Sequence, residues 1–208
     1  MYSADYEAIR DSLPVKHHLD REVLRADSKR SFSFDVLKDN GKPVAVVREY
    51  IHAKGKYSHG ELPDSVRALN LLQSAGVEVA PFLPVKVAPK VDLLVVPYME
   101  GPDLDIDDSS VAPKQLLAHA SALGNYLVQA TYTEKFVLND FVAPNQYKVQ
   151  DGKPVLVDID GYVDPTEEHS PALTRHYLDE ISGLYSPMLP QAEADQLKSH
   201  TAALIQTV

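Results

Sequence analysis

The hydrophobic period of this chain changes partway along, and that change limits the folds open to it. Residues 19–51 and 82–98 read mainly as strands, whereas residues 113–131, 170–184 and 190–206 read as helices. Phe32, Phe34 and Val36 alternate with Ser33, Asp35 and Leu37, the pattern of a half-buried strand. Asp39-Asn40-Gly41-Lys42 follows, and Asn-Gly tolerates the positive φ angles of a tight hairpin. Val44–Ile51 is the returning strand, and residues 19–25 read weakly as a further one, so the chain opens on a three-stranded antiparallel sheet. Further on, Leu116, Leu117, Ala120, Leu123, Leu127 and Ala130 mark a long helix over 113–131.

The remaining elements are shorter. Residues 3–12 predict a helix capped by Ser3 and stopped by Pro14, and Asp64 opens another that runs to Ala75, with Gly76 as its stop. Strands are expected near 82–88 and 92–98, then at 146–149 and 154–159 around an Asp151-Gly152 turn. Helices are expected over 170–184 and 190–206. The acidic stretch 100–113 reads as a solvated crossing between two parts of the chain. The order is strands with one helix, a linker, a long helix, a hairpin and more helices, which predicts an α+β fold in two lobes.

Composition removes several function classes. The 208 residues hold 20 Lys+Arg and 30 Asp+Glu, a formal net charge of −10. An acidic chain is poorly suited to phosphate-rich partners such as nucleic acid or anionic membrane. Cysteine is absent, which excludes disulfides, thiolate metal sites and thiol nucleophiles. No apolar run is long enough to span a bilayer, and the N-terminus shows no secretory signal peptide. The expectation is a cytoplasmic protein, or one delivered by a specialised secretion route. The eight histidines are scattered and form no His-x-x-x-His pair, and Gly-x-Ser-x-Gly is missing. The 103–108 acidic run lacks the Gly and closing Glu of a calcium loop.

Chemistry concentrates in residues 137–161, VLNDFVAPNQYKVQDGKPVLVDIDG. Asp140 and Asn145 leave a long helix, Asp158 ends the next apolar strand, and the hairpin between them brings the three together. Two carboxylates and an amide are all oxygen donors, a set that suits Mg²⁺. Singly, each residue reads equally well as turn chemistry. Asp160 reads as a turn residue. Ser28, Lys29, Arg30 and Ser31 form a basic, hydroxyl-bearing loop, read either as a solvated turn or as a phosphate contact. Arg48 sits in an apolar strand, either as a phosphate ligand or as an edge arginine reaching solvent.

Asp140-Phe-Val-Ala-Pro-Asn145 resembles the Asp-x-x-x-x-Asn catalytic loop of protein kinases and of aminoglycoside and choline kinases. Leu156-Val157-Asp158-Ile159-Asp160-Gly161 resembles their metal-binding Asp-Phe-Gly position, at a fitting interval of 18 residues from Asp140. Leu94–Leu104 is similar to the interlobe hinge, and Val44–Arg48 to the third strand, which carries a phosphate-binding cation. The resemblance covers about residues 20–165 and keeps the order of the motifs. The chain departs from the pattern in lacking a Gly-rich loop, in carrying Arg48 for Lys and Leu138 for His, and in lacking Ala-Pro-Glu after Asp158.

The resemblance implies a protein-kinase-like domain over 1–208, with an N-lobe at about 15–97, a hinge at 97–101 and a C-lobe at about 102–208. It implies that ATP lies in the interlobe cleft. The backbone of Pro97 and Met99 would hold adenine, while Arg48, Ser28, Lys29 and Arg30 would hold phosphates. Asn145 and Asp158 would hold Mg²⁺, and Asp140 would act as the catalytic carboxylate on an acceptor hydroxyl. The expected function is ATP- and Mg²⁺-dependent phosphoryl transfer to a protein substrate. The alternatives are a pseudokinase, a kinase acting on a small alcohol, and an unrelated interaction protein.

Overall fold

The computed structural model describes residues 19–27, 32–39, 42–51, 62–88, 91–105, 110–133, 141–157 and 170–208. The expected helix at 3–12 lies outside them. The elements in chain order are β1 (Leu19–Asp27), β2 (Phe32–Asp39), β3 (Lys42–Ile51), α1 (Leu62–Ser74), β4 (Leu83–Ala88), β5 (Val91–Pro97), α2 (Pro113–Thr133), β6 (Tyr147–Gln150), β7 (Lys153–Leu156), α3 (Pro171–Tyr185) and α4 (Gln191–Ile205). The protein is α+β, with small antiparallel sheets and helices. The chain divides into two compact units, Met1–Val66 with Ala80–Met99 and Arg67–Val79 with Glu100–Val208.

The first unit is built on a five-stranded sheet of order β1-β2-β3-β5-β4 with every neighbouring pair antiparallel. The expected opening meander is present. Asp39 pairs with Lys42, a two-residue connection that matches the Asn40-Gly41 signal, although those two residues lie outside the described set. The register slips between Leu37 and Lys38, where β3 carries one extra residue, and again between Val23 and Arg25 on β1. Such bulges bend a strand and raise its twist. Among the described residues Ala45, Val47, Leu94, Val95 and Val96 are buried, so the paired middles of β3 and β5 contribute to this unit's core.

The second unit packs α3 and α4 against α2. Leu116, Ala120, Leu123, Leu127 and Ala130 are buried along one stripe, as the sequence predicts, and Leu117 is half-buried at its margin. Thr174, Leu178, Ile181 and Tyr185 of α3 bury at the same spacing, as do Ala194, Leu197 and Thr201 of α4. α3 starts where Ser170 and Pro171 set it. The Ser170 hydroxyl accepts from the Leu173 N–H at 3.2 Å, and the missing N–H of Pro171 costs nothing in a first turn. α1 begins at Leu62, two residues ahead of the expected Asp64. Its end is as expected: Gly76 at φ +95° follows the last turn, its N–H donates to Gln73 O, and the Val77 N–H donates to Leu72 O, both at 3.0 Å. This paired ending favours glycine at the left-handed position, and Leu72 and Val77 are both buried.

A small second sheet corrects two expectations. The strand expected over 154–159 stops pairing at Leu156, because its partner β6 begins at Tyr147 and Tyr147 is the residue opposite Leu156. The acidic segment after Glu100 is not a free linker throughout. Asp103 bridges to Lys148 in antiparallel fashion, the Leu104 N–H donates to Tyr147 O at 2.8 Å, and Leu104 is buried. Asp103 and Lys148 also form an ion pair at 2.7 Å. On the far side, Val79 runs parallel to Leu156, whose N–H donates to Glu78 O at 2.9 Å.

Gly101 turns the chain into this sheet at φ +137°, where an added Cβ would lie 2.6 Å from Gln150 Nε2 and 3.0 Å from Val149 O. The Gln150 side chain donates to Glu100 O, so little room remains. Gly101→Ala is expected to cost about 1–3 kcal/mol from the forced backbone alone. The check is urea unfolding, with a lower midpoint at unchanged slope.

Candidate functional site

Asn145 lies in a 3-10 turn, Pro144–Gln146, that follows a short bend beginning at Phe141. Pro144 opens the turn, where its fixed φ suits a first helical position and its absent N–H costs nothing. Asn145 is exposed, and its amide oxygen is a hard donor of the kind Mg²⁺ takes. The flanking residues Phe141, Val142 and Tyr147 are all buried, so the exposed amide is held by a fixed base.

That base is an aromatic cluster. The Tyr147 hydroxyl donates to Phe141 O at 2.6 Å, across the loop that holds Asn145. The Phe141 ring meets Tyr126 of α2 nearly edge-on, with centroids 5.0 Å apart, and Tyr177 of α3 at 6.2 Å. His119 of α2 stands edge-on to Tyr147 at 4.4 Å and to Tyr185 at 5.6 Å. Aromatic groups prefer such offset and edge contacts because ring faces are negative and edges positive. Burial pushes the Tyr147 phenol well above its ordinary value of 10.0, with Tyr185 and Tyr126 adding to the shift, so its hydroxyl stays a donor. Burial also pulls His119 down from 6.5 to about 3, so its ring stays neutral near neutral pH.

The backbone completes the frame. The Gln146 N–H donates to Ala143 O, and the Val157 N–H donates to Gln146 O, each at 3.1 Å. Beyond Leu156 the chain therefore leaves the ladder and bonds to the residue after Asn145.

The other predicted site residues divide as follows. Asp140 and Asp158 lie outside the described residues, as do Ser28, Lys29 and Arg30. Arg48 lies on β3, opposite Phe34 of β2 and Leu94 of β5. β3 lies between β2 and β5 in the sheet order. Pro97, the exposed last residue of β5, pairs with Ala45, and Met99 just after it is half-buried. Among the described residues no group of three or more His, Asp or Glu is arranged to hold a metal. No described helix is long and apolar enough to cross a membrane.

The sequence reading passed over His119 and Tyr147. A signal was present for His119: with Leu116, Ala120, Leu123, Tyr126, Leu127 and Ala130 it completes the 3-1-3-3-1-3 spacing of a buried helical face. Tyr147 occupies a buried position at the start of β6, and its sequence context gives no sign of a hydroxyl turned back onto the loop.

No family model and no curated protein matches the chain. Among solved structures it is similar to the GDP complex of wild-type aminoglycoside 2'-phosphotransferase-IIIa. That match has 10% sequence identity and a TM-score of 0.44, and covers 97% of this chain and 98% of that one.

Proposed function

We propose that the chain is an ATP- and Mg²⁺-dependent phosphotransferase acting on a hydroxyl of a protein substrate. The ordered sequence pattern motivates the reading, and one structural observation carries it: the chain neighbours of all three candidate groups are bonded into one frame. Phe141, the residue after Asp140, accepts from the Tyr147 hydroxyl. Gln146, the residue after Asn145, accepts from Val157, the residue before Asp158. Each group is thus one residue along the chain from a fixed backbone point. Phosphoryl transfer asks a protein mainly for positioning and charge neutralisation, which a small frame can supply.

In this reading Asp140 orients the acceptor hydroxyl, and Asn145 with Asp158 holds Mg²⁺, which neutralises phosphate charge when bound. Arg48, Ser28, Lys29 and Arg30 bind phosphate oxygens, and the backbone of Pro97 and Met99 binds adenine. An N-lobe at about 15–97, a hinge at 97–101 and a C-lobe at about 102–208 belong to the same reading. A protein acceptor is the preferred reading, with a small alcohol as the alternative.

Calorimetry tests the metal assignment. The wild-type chain is expected to bind ATP in a Mg²⁺-dependent manner, and Asp158→Ala to lose that dependence. Unchanged Mg²⁺-dependent binding in the variant would overturn the assignment. A second reading, a nucleotide-binding module without catalysis, is favoured by Leu138 at the histidine position and by the missing Gly-rich loop. Tight Mg-ATP binding with no transfer to protein, lysate or small alcohols would select it.

A further inference from the structure

A fully buried tyrosine in a core position is usually there for its ring, and a phenylalanine would pack as well. Tyr147 is 0% exposed, and its hydroxyl has been given a specific partner. That partner is not in a helix or a strand ladder. It is the carbonyl of Phe141, the first described residue of the loop that leads to Asn145. Among the described residues, two other backbone ties of this loop, Gln146 N–H to Ala143 O and Tyr147 N–H to Pro144 O, both lie in its C-terminal half. The Tyr147 hydroxyl joins its beginning to β6.

Tyr147 is itself held from several directions. Its carbonyl accepts from the Leu104 N–H at 2.8 Å, Leu156 stands opposite it on β7, and His119 supports its ring edge-on. The hydroxyl therefore reaches the loop from a point fixed by β6, β7, α2 and the 102–104 segment.

We infer that Tyr147 is a positioning residue for the loop that carries Asp140 and Asn145, acting through the hydrogen bond from its hydroxyl to Phe141 O. The inference rests on the phosphotransfer reading for what the loop does, and on the bond itself for how the loop is held. A misplacement of about 1 Å in a group that must meet its reactant costs on the order of 100-fold in rate. Loss of this tie therefore appears in turnover before it appears in nucleotide affinity.

The experiment compares Tyr147→Phe with Tyr132→Phe. Tyr132 is exposed on α2, and its hydroxyl also donates to a backbone carbonyl, Thr207 O, at 2.8 Å. Two readouts are taken on the full chain. One is deuterium uptake over residues 141–146 and over α2, α3 and α4. The other is Mg²⁺-dependent transfer or release of label from γ-labelled ATP. Tyr147→Phe is expected to raise uptake over 141–146 while the helices keep theirs, and to lower kcat about 10- to 100-fold with little change in KM for Mg-ATP. Tyr132→Phe is expected to leave both readouts at wild-type values. A Tyr147→Phe chain that melts earlier but keeps wild-type kcat and loop uptake would overturn the positioning role, since the hydroxyl would then serve stability alone. A variant that no longer folds would overturn it too, because the bond would hold the unit rather than the loop. A wild-type chain that neither binds nor turns over nucleotide would overturn the phosphotransfer reading, and the positioning role with it. The two failures are told apart by the wild-type result.

Discussion

Asp140→Asn is expected to reduce phosphoryl transfer by about 100- to 10,000-fold, the range supplied by a positioned general base. In the proposed transfer the acceptor oxygen would bond to the γ-phosphorus as the bond to the β–γ bridging oxygen breaks. The acceptor proton would pass to the carboxylate, and ADP would leave with the bridging oxygen. The amide of Asn keeps the size and much of the hydrogen bonding of Asp but cannot take that proton. An interaction made mainly in the transition state lowers kcat and kcat/KM together and leaves ATP affinity nearly unchanged. The measurement is transfer from labelled ATP to the protein itself, to a cell lysate and to a panel of small alcohols, alongside calorimetric ATP binding. Equal loss of binding and transfer would make Asp140 a nucleotide ligand or a structural turn residue.

The second large effect is on stability against acid. His119 is 5% exposed, and burial lowers its folded pKa from 6.5 to about 3. The groups facing it do not offset that burial. Tyr147 from β6 and Tyr185 from α3 present neutral phenols, and the exposed Glu78–Lys153 ion pair lines the hollow beside it. The unfolded chain takes up a proton near pH 6.5 that the folded chain refuses. Stability from the neutral ring is therefore complete above 6.5 and is lost as pH falls from 6.5 toward 3. The slope is about 1.4 kcal/mol per pH unit, or on the order of 2 kcal/mol by pH 5. Urea unfolding at pH 7 and pH 5 should show this fall in the wild-type chain and a shallower one in His119→Gln, which keeps a polar side chain without the titration. Parallel curves for the two proteins would mean that the ring is not desolvated in solution.

The acid response and the loop tie meet in one place, because His119 supports the Tyr147 ring at 4.4 Å. A side chain with no contact to substrate in the proposed reaction thus shares a contact with the residue that holds the loop. The geometry accounts for a neutral histidine under a phenol kept as a donor: both groups are buried, and burial disfavours the charged form of each.

Much of the architecture was legible before any coordinates. The opening meander followed from period-two alternation and the Asn40-Gly41 signal, and α2 from its apolar stripe. These signals are local, since each depends on residues within one or two turns of chain. The candidate site was proposed from the order Asp140, Asn145, Asp158, a pattern in the sequence itself, and of these Asn145 alone lies among the described residues.

Tertiary structure decided what depends on a partner distant in sequence. Whether β7 continued past Leu156 was set by where β6 began, at Tyr147. Whether the acidic segment stayed free was set by Lys148, which pairs Asp103. The interior place of Arg48 came from β5 pairing beside β3 across more than forty residues of chain. The bend from β6 back to Phe141 O, and the burial of His119 against it, likewise required three elements to pack together. The sequence determined the strands, the helices and the candidate donors because backbone preference and side-chain periodicity act locally. The direction of a buried hydroxyl and the protonation of a buried ring depend on what packs around them, and only the folded chain supplies those neighbours.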